Sequence, residues 1–145
     1  MMMRRADLFE TAVDGREDSS KALDQLNEII GKYAYGRIEK LLPGPDNTID
    51  FRIIPSGGGR SFSFDGLSSG QKEVISTLFL VWRNTRRSPA IILIDEPELH
   101  LNPEWQRDFV KQIQNLTPAS QIIIATHSED IWSSVPEDRR ILLGD

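Results

Sequence analysis

IILIDEPELHLN, residues 91–102, opens with four consecutive apolar residues and then turns abruptly to acid and proline. Ile91 to Ile94 has strand length and no polar interruption, the pattern of a parallel strand covered on both faces. Asp95 and Glu96 therefore stand at the carboxyl end of that strand, the edge where open α/β sheets bind ligands. Asn102 and Pro103 prepare a helix. Asparagine is a favoured N-cap, and proline at the first helical position gives up an N–H that would have no partner anyway. Trp105, Phe109, Ile113 and Leu116 recur as the inward face of that helix, and Thr117-Pro118 ends it. QIIIA, residues 121–125, is a second buried strand. The strand–helix–strand unit predicts a right-handed crossover in a parallel sheet. ILL, residues 141–143, predicts a last short strand.

Upstream, residues up to about Asp18 are charged and weakly patterned. From Ser19 or Ser20 a helix is expected, with Ala22, Leu23, Leu26, Ile29 and Ile30 at helical spacing and Gly31 as its stop. LPGPDNT, residues 42–48, is turn chemistry. TIDFRII alternates apolar and polar residues, and SFSF at 61–64 alternates again, with SGGGR between them. Together they predict a β-hairpin. A glycine cluster also invites a phosphate-loop reading, but that loop needs Gly-x4-Gly-Lys-Ser/Thr. Here the glycines run into Arg60 and Ser61. The one Gly-Lys in the chain, Gly31-Lys32, is followed by Tyr33. No phosphate-loop pattern occurs anywhere in this sequence.

LSSGQKE, residues 67–73, precedes a helix whose apolar face is Val74, Ile75, Leu78, Phe79 and Trp82, extending to about Thr85. Ser68 and Gln71 form the S-x-x-Q of a capping box. A helix start with free N–H groups, a serine hydroxyl and a glycine is equally a phosphate site. Arg83, Arg86 and Arg87 cluster near the helix end, where they complement the dipole.

The whole chain, 145 residues with 22 acids, 17 bases and no cysteine, has the length of one domain. A net charge of −5 argues against a surface built mainly to grip nucleic-acid backbones. No apolar run is long enough to span a bilayer, and the start, MMMRRADLFE, lacks a signal peptide's apolar stretch. The absence of thiols fits a reducing compartment, so a cytoplasmic location is expected.

Two adjacent acids at a strand end can divide labour. Asp95 can hold a magnesium ion and Glu96 can polarise an attacking water. His127, directly after the second strand, lies on the same edge and can donate to a γ-phosphate or position the water. His100 reads instead as a surface or interface residue. The spacing of the acids and histidines fits no zinc pattern.

In order and spacing, these three motifs resemble the C-terminal half of an ABC-class ATPase domain. LSSGQ resembles the signature motif, with Ser69 in place of its first glycine. IILIDEP resembles the Walker B strand, ELHLN the segment leading into the D-loop with Asn102 where many members have aspartate, and THS the switch-histidine motif. DEPELHLNPEWQ is similar to the AAA-type, overcoming-lysogenisation-like ATPases and their RecF and SMC relatives. The resemblance implies a partial P-loop NTPase fold: an α/β parallel sheet with flanking helices, preceded by an N-terminal helix and a β-hairpin. It covers about residues 49–145, leaving 1–48 as an N-terminal helical segment.

The resemblance also implies roles. Asp95 would bind Mg2+, Glu96 and His127 would be catalytic, and Ser68, Ser69, Gly70 and Gln71 would contact the ATP held by a partner. Those partners would be a second copy or another chain supplying the P-loop, in an assembly that could associate with nucleic acid, with no membrane insertion. The family places its P-loop strand between the strand ending at His127 and the final strand, so a gap in the sheet is expected here. The implied protein is a genome-maintenance or phage-defence ATPase, present as a fragment or split half that is inactive alone. An ABC-transporter ATPase fragment, or a non-catalytic module completing another ATPase in trans, are the alternatives.

Overall fold

The computed structural model describes residues 16–43 and 49–143, so the start of the chain and most of the proposed 42–48 turn lie outside the described residues. The described chain divides into two compact units meeting in sequence at Arg83 and Asn84.

In the first unit, α1 (Arg16–Ala34) is followed by β1 (Gly36–Pro43), β2 (Ile49–Pro55), β3 (Phe62–Ser63) and α2 (Ser69–Thr85). Helix α1 buries Leu26, Ile29, Ile30 and Tyr33. It passes through Gly31 rather than stopping there. A helical glycine costs about 1 kcal/mol relative to alanine, and burial of Tyr33 and Ala34 in the next turn offsets it. The helix ends at Tyr35, which adopts a left-handed φ of 50°.

Strand β1 has no counterpart among the sequence expectations. It pairs antiparallel with β2 along its length, with a bulge between Ile38 and Lys40. The anticipated hairpin is present as β2 and a short β3, registered Arg52 to Ser63 and Ile53 to Phe62. Gly58 and Gly59 supply the positive φ angles of the connecting turn, 81° and 124°. Arg52 anchors the return, donating from Nε to Ser61 Oγ at 3.0 Å and from its terminal nitrogen to the Ser61 carbonyl. Phe51 and Ile53 on β2, Leu67, and Val74, Ile75, Leu78 and Phe79 on α2 supply the other buried apolar side chains of this unit.

The second unit holds β4 (Ile91–Asp95), a 3-10 turn over Pro97–His100, α3 (Pro103–Leu116), β5 (Gln121–Ala125) and the short α4 (Glu129–Ser133). β4 and β5 pair in parallel, in register from Ile91–Gln121 to Asp95–Ala125. Asn102 caps α3 as expected, its Oδ1 accepting from the Trp105 N–H at 2.9 Å. Phe109, Val110 and Ile113 are buried on α3, and Ile131 on α4.

Two expectations about this sheet fail. β4 and β5 are not covered on both faces. Ile92, Ile94, Ile122 and Ile124 lie on a half-buried face, while Ile91, Leu93 and Ile123 are exposed, Leu93 at 73%. Residues 141–143 form no strand, and Ile141, Leu142 and Leu143 are largely exposed. A strand needs a ladder partner, and the expected arrangement put a further strand between β5 and this segment. Among the described residues β4 and β5 form a two-stranded sheet, so each keeps one unpaired edge.

Candidate functional site

The site is built at the carboxyl ends of β4 and β5. The ladder continues one bond past Asp95, because the Glu96 N–H donates to the Ala125 carbonyl at 2.9 Å. The chain then turns sharply. Glu96 takes a left-handed conformation, φ 46° and ψ 53°, which costs a non-glycine residue roughly 1–2 kcal/mol. A strained, non-glycine residue at the mouth of a strand is a feature of sites where the side chain must be aimed.

The turn brings Glu96 beside His127. Glu96 Oε1 and His127 Nε2 are 3.9 Å apart, within ion-pairing range of a protonated ring but longer than a hydrogen bond. Both are solvent-exposed, the imidazole at 90%, so the pair adds little to stability. Asp95 is also exposed at the strand end. The structure thus brings Asp95, Glu96 and His127 to one sheet edge. His100 lies exposed at the end of the 3-10 turn.

Behind this exposed edge is a polar network that the sequence did not announce. Glu98 accepts the Thr126 hydroxyl on Oε2 and the His127 N–H on Oε1, both at 2.7 Å. Burial pushes the Glu98 carboxyl pKa upward, but the bonds from Thr126 and His127, helped by the nearby imidazole, outweigh it and hold the value below the usual 4.5. Gln106 on α3 accepts the Ser128 hydroxyl at 2.6 Å and donates to the Leu101 carbonyl at 2.7 Å. The bonds to Thr126, His127 and Ser128 span 22 to 29 positions of sequence, beyond the reach of any local pattern. The available hint is the alternation Thr126, His127, Ser128, which points two hydroxyls away from the exposed ring.

Ser68, Ser69, Gly70 and Gln71 lie in the other unit, at the start of α2. The capping box forms reciprocally. The Ser68 N–H donates to Gln71 Oε1 at 3.0 Å, and the Gln71 N–H to Ser68 Oγ at 3.2 Å. Gln71 Nε2 also donates to the Tyr33 carbonyl at 3.0 Å. The Gln71 amide is therefore engaged at both ends, by the capping box and by the Tyr33 carbonyl 38 positions earlier, while Gly70 is buried and Ser68 and Ser69 are exposed.

Among the described residues no group of three or more acids and histidines could enclose a metal ion. A single exposed carboxylate suits magnesium only as a shared ligand, because that ion is commonly held by one or two carboxylates together with substrate phosphates and waters. Asp95 fits that role. Among the same residues no helix is long and apolar enough to cross a membrane.

Comparison with known proteins gives concordant findings. Residues 3–131 match the family described as "AAA domain, putative AbiEii toxin, Type IV TA system". The chain is 31% identical over 101 residues to "Retron Vc95 probable ATPase" of Vibrio cholerae, covering 63% of this chain and 19% of that protein. It is 32% identical over 106 residues to "Septu protein PtuA" of Bacillus thuringiensis, covering 65% and 27%. It is 28% identical to "Retron Ec83 probable ATPase" of Escherichia coli, covering 92% and 29%. The chain thus spans less than a third of the length of these relatives. Among solved structures, an SMC ATPase from work on ATP-driven dimerization and DNA-stimulated activation superposes with a TM-score of 0.63 at 18% identity, over 91% of this chain and 78% of that one. An SMC head bound to the winged-helix domain of ScpA gives the same TM-score and identity, over 90% and 44%. At that identity the likeness establishes the fold: an α/β domain with a parallel sheet and flanking helices, as the resemblance implied.

Proposed function

The chain belongs to the AAA-domain family matched over residues 3–131, and from that premise we propose that it is part of an ATP-hydrolysing module of a soluble ABC-type ATPase. The observation that carries this reading is the placement of Glu96 beside His127, 3.9 Å apart, at the ends of neighbouring parallel strands. One acid next to a hydrogen-bond donor, beside a second acid suited to magnesium, is a constellation suited to the water-activating part of phosphoanhydride hydrolysis. Glu96 takes the polarising role toward the attacking water. His127 donates to the γ-phosphate or to that water. Asp95 would hold a magnesium ion, which when bound would supply charge neutralisation at the phosphates. The products are ADP and phosphate.

The sequence carries no P-loop, so the amides and lysine that cradle the phosphates come from elsewhere in the assembly. The exposed face of Ile91, Leu93 and Ile123 and the unpaired strand edges support a missing neighbour. Burying such side chains contributes about 1.5–3 kcal/mol each, and unpaired strand edges are templates for pairing. By the family's logic Ser68, Ser69, Gly70 and Gln71 meet a nucleotide held by a partner, which requires Gln71 to exchange its bonds within the chain for the ligand. A second copy or a P-loop-bearing chain is the proposed partner. Genome maintenance or phage defence is the proposed setting, the latter supported by retron and Septu relatives.

Glu96→Gln in the assembled protein tests this reading. Removing the catalytic carboxylate should lower kcat for ATP by about 10²–10⁴-fold while ATP still binds. An unchanged rate would make the chain a structural module serving another ATPase.

A further inference from the structure

His127 is held by its main chain and not by its ring. Among the described residues nothing hydrogen-bonds its imidazole, and the ring is 90% exposed. Its main chain, in contrast, is tied down. The two oxygens of Glu98 accept from the His127 N–H and the Thr126 hydroxyl, each at 2.7 Å. Thr126 Oγ1 in turn accepts the Ser128 N–H at 3.0 Å. The Ser128 hydroxyl accepts the Ile131 N–H at 3.2 Å and donates to Gln106 at 2.6 Å. Gln106 closes the circuit, donating to the Leu101 carbonyl at the end of the turn that carries Glu98. The turn after β4 and the turn after β5 are thereby bound to each other and to α3.

We propose that Glu98 is a positioning residue that clamps the turn after β5, so that His127 is presented beside Glu96. This inference rests on the ATPase reading of the Glu96–His127 pair. Glu98 touches no reacting atom and acts through the backbone of its neighbour. Its geometry suits that role, since a carboxylate accepts two directed bonds at once and charge-assisted bonds are roughly twice as strong as neutral ones. A carboxamide in its place keeps the size and one acceptor oxygen for the His127 N–H, and the Thr126 hydroxyl can turn to accept from its N–H₂ group. Both bonds then lose the charge that strengthens them, and the clamp is loosened.

Two arms test the clamp. In the full chain, the His127 amide proton is followed by NMR against pH. It should show a step as Glu98 titrates, and Glu98→Gln should abolish that step while amides outside the turns after β4 and β5 stay in place. Should Glu98→Gln not fold, Thr126→Val reads the same amide with one of the two bonds removed. A His127 amide indifferent to both changes overturns the proposal. In the assembled ATPase, Glu98→Gln should lower kcat by about 10–100-fold, the cost of a misplaced catalytic group, with KM for Mg-ATP within about twofold of wild type. Glu98→Asp should restore part of the rate. The double variant Glu98→Gln/His127→Ala should be no slower than His127→Ala alone, because both changes remove one function. Additive losses, or an unchanged kcat, would overturn the proposal. An assembly in which even the wild type releases no phosphate refutes the ATPase reading instead, and the amide step still decides whether the clamp exists.

Discussion

At the scale of single residues, Glu96 joins two demands that conflict. Its left-handed backbone (φ 46°) favours glycine, while the chemistry proposed for it needs a carboxylate. Glu96→Gly should therefore leave stability unchanged or raise it by up to about 1 kcal/mol, with loss of turnover. Glu96→Val, β-branched and poorly suited to positive φ, should destabilise by about 1–2 kcal/mol. Urea denaturation of the two variants separates backbone strain from side-chain chemistry, and equal effects would refute the strain. Glu98 makes a prediction about pH. Its folded-state pKa lies below the ordinary glutamate value of 4.5, so between those two values the unfolded chain binds more protons than the folded one. The stabilisation is complete above the ordinary value and is lost as pH falls through the folded value. Wild type should therefore be more stable than Glu98→Gln at pH 7, and the advantage should shrink as pH is lowered below 4.5 in the same urea experiment. A constant difference across that range would show that the carboxylate charge contributes nothing.

At the scale of elements, legibility followed locality. The cap at Asn102, the reciprocal box of Ser68 and Gln71, and strands β4 and β5 follow from contacts a few residues apart or from unbroken apolar runs. β1 escaped because GRIEKLLP carries no clean alternation and its bulge between Ile38 and Lys40 breaks the period. Residues 141–143 misled because apolar composition alone does not supply a ladder partner. The Glu98 network was illegible because its members come from separate turns and are brought together by the crossover. Close packing around β1 can be tested at Gly36, which lies against β2. A Cβ there would sit 2.7 Å from both the Ile54 carbonyl oxygen and Ile53 Cγ2. Gly36→Ala should cost about 1–3 kcal/mol, seen as a lower urea midpoint, since backbone cannot move aside as a side-chain tip can. Asn102→Ala should cost about 1 kcal/mol through the lost cap.

At the scale of the whole molecule, the proposed reading gives the chain half a site. The parallel sheet leaves Ile91, Leu93 and Ile123 exposed on one face, and the sequence offers two acids and a histidine without the loop that would hold a triphosphate. Leu93→Lys should weaken association with a P-loop-bearing partner while leaving the fold intact, since Leu93 buries little surface within this chain. Equal association by size-exclusion chromatography would remove that face from the interface. A net charge of −5 makes tight non-specific DNA binding by this chain an unfavoured outcome at physiological salt. Whether the chain holds only half of an ATP site is decided by a calorimetric titration of it with Mg-ATP. No saturable heat is expected, because the roles proposed for Asp95, Glu96 and His127 need a nucleotide held by a phosphate loop that this sequence lacks. Saturable binding in the micromolar range would contradict the half-site, placing a complete phosphate site within these 145 residues.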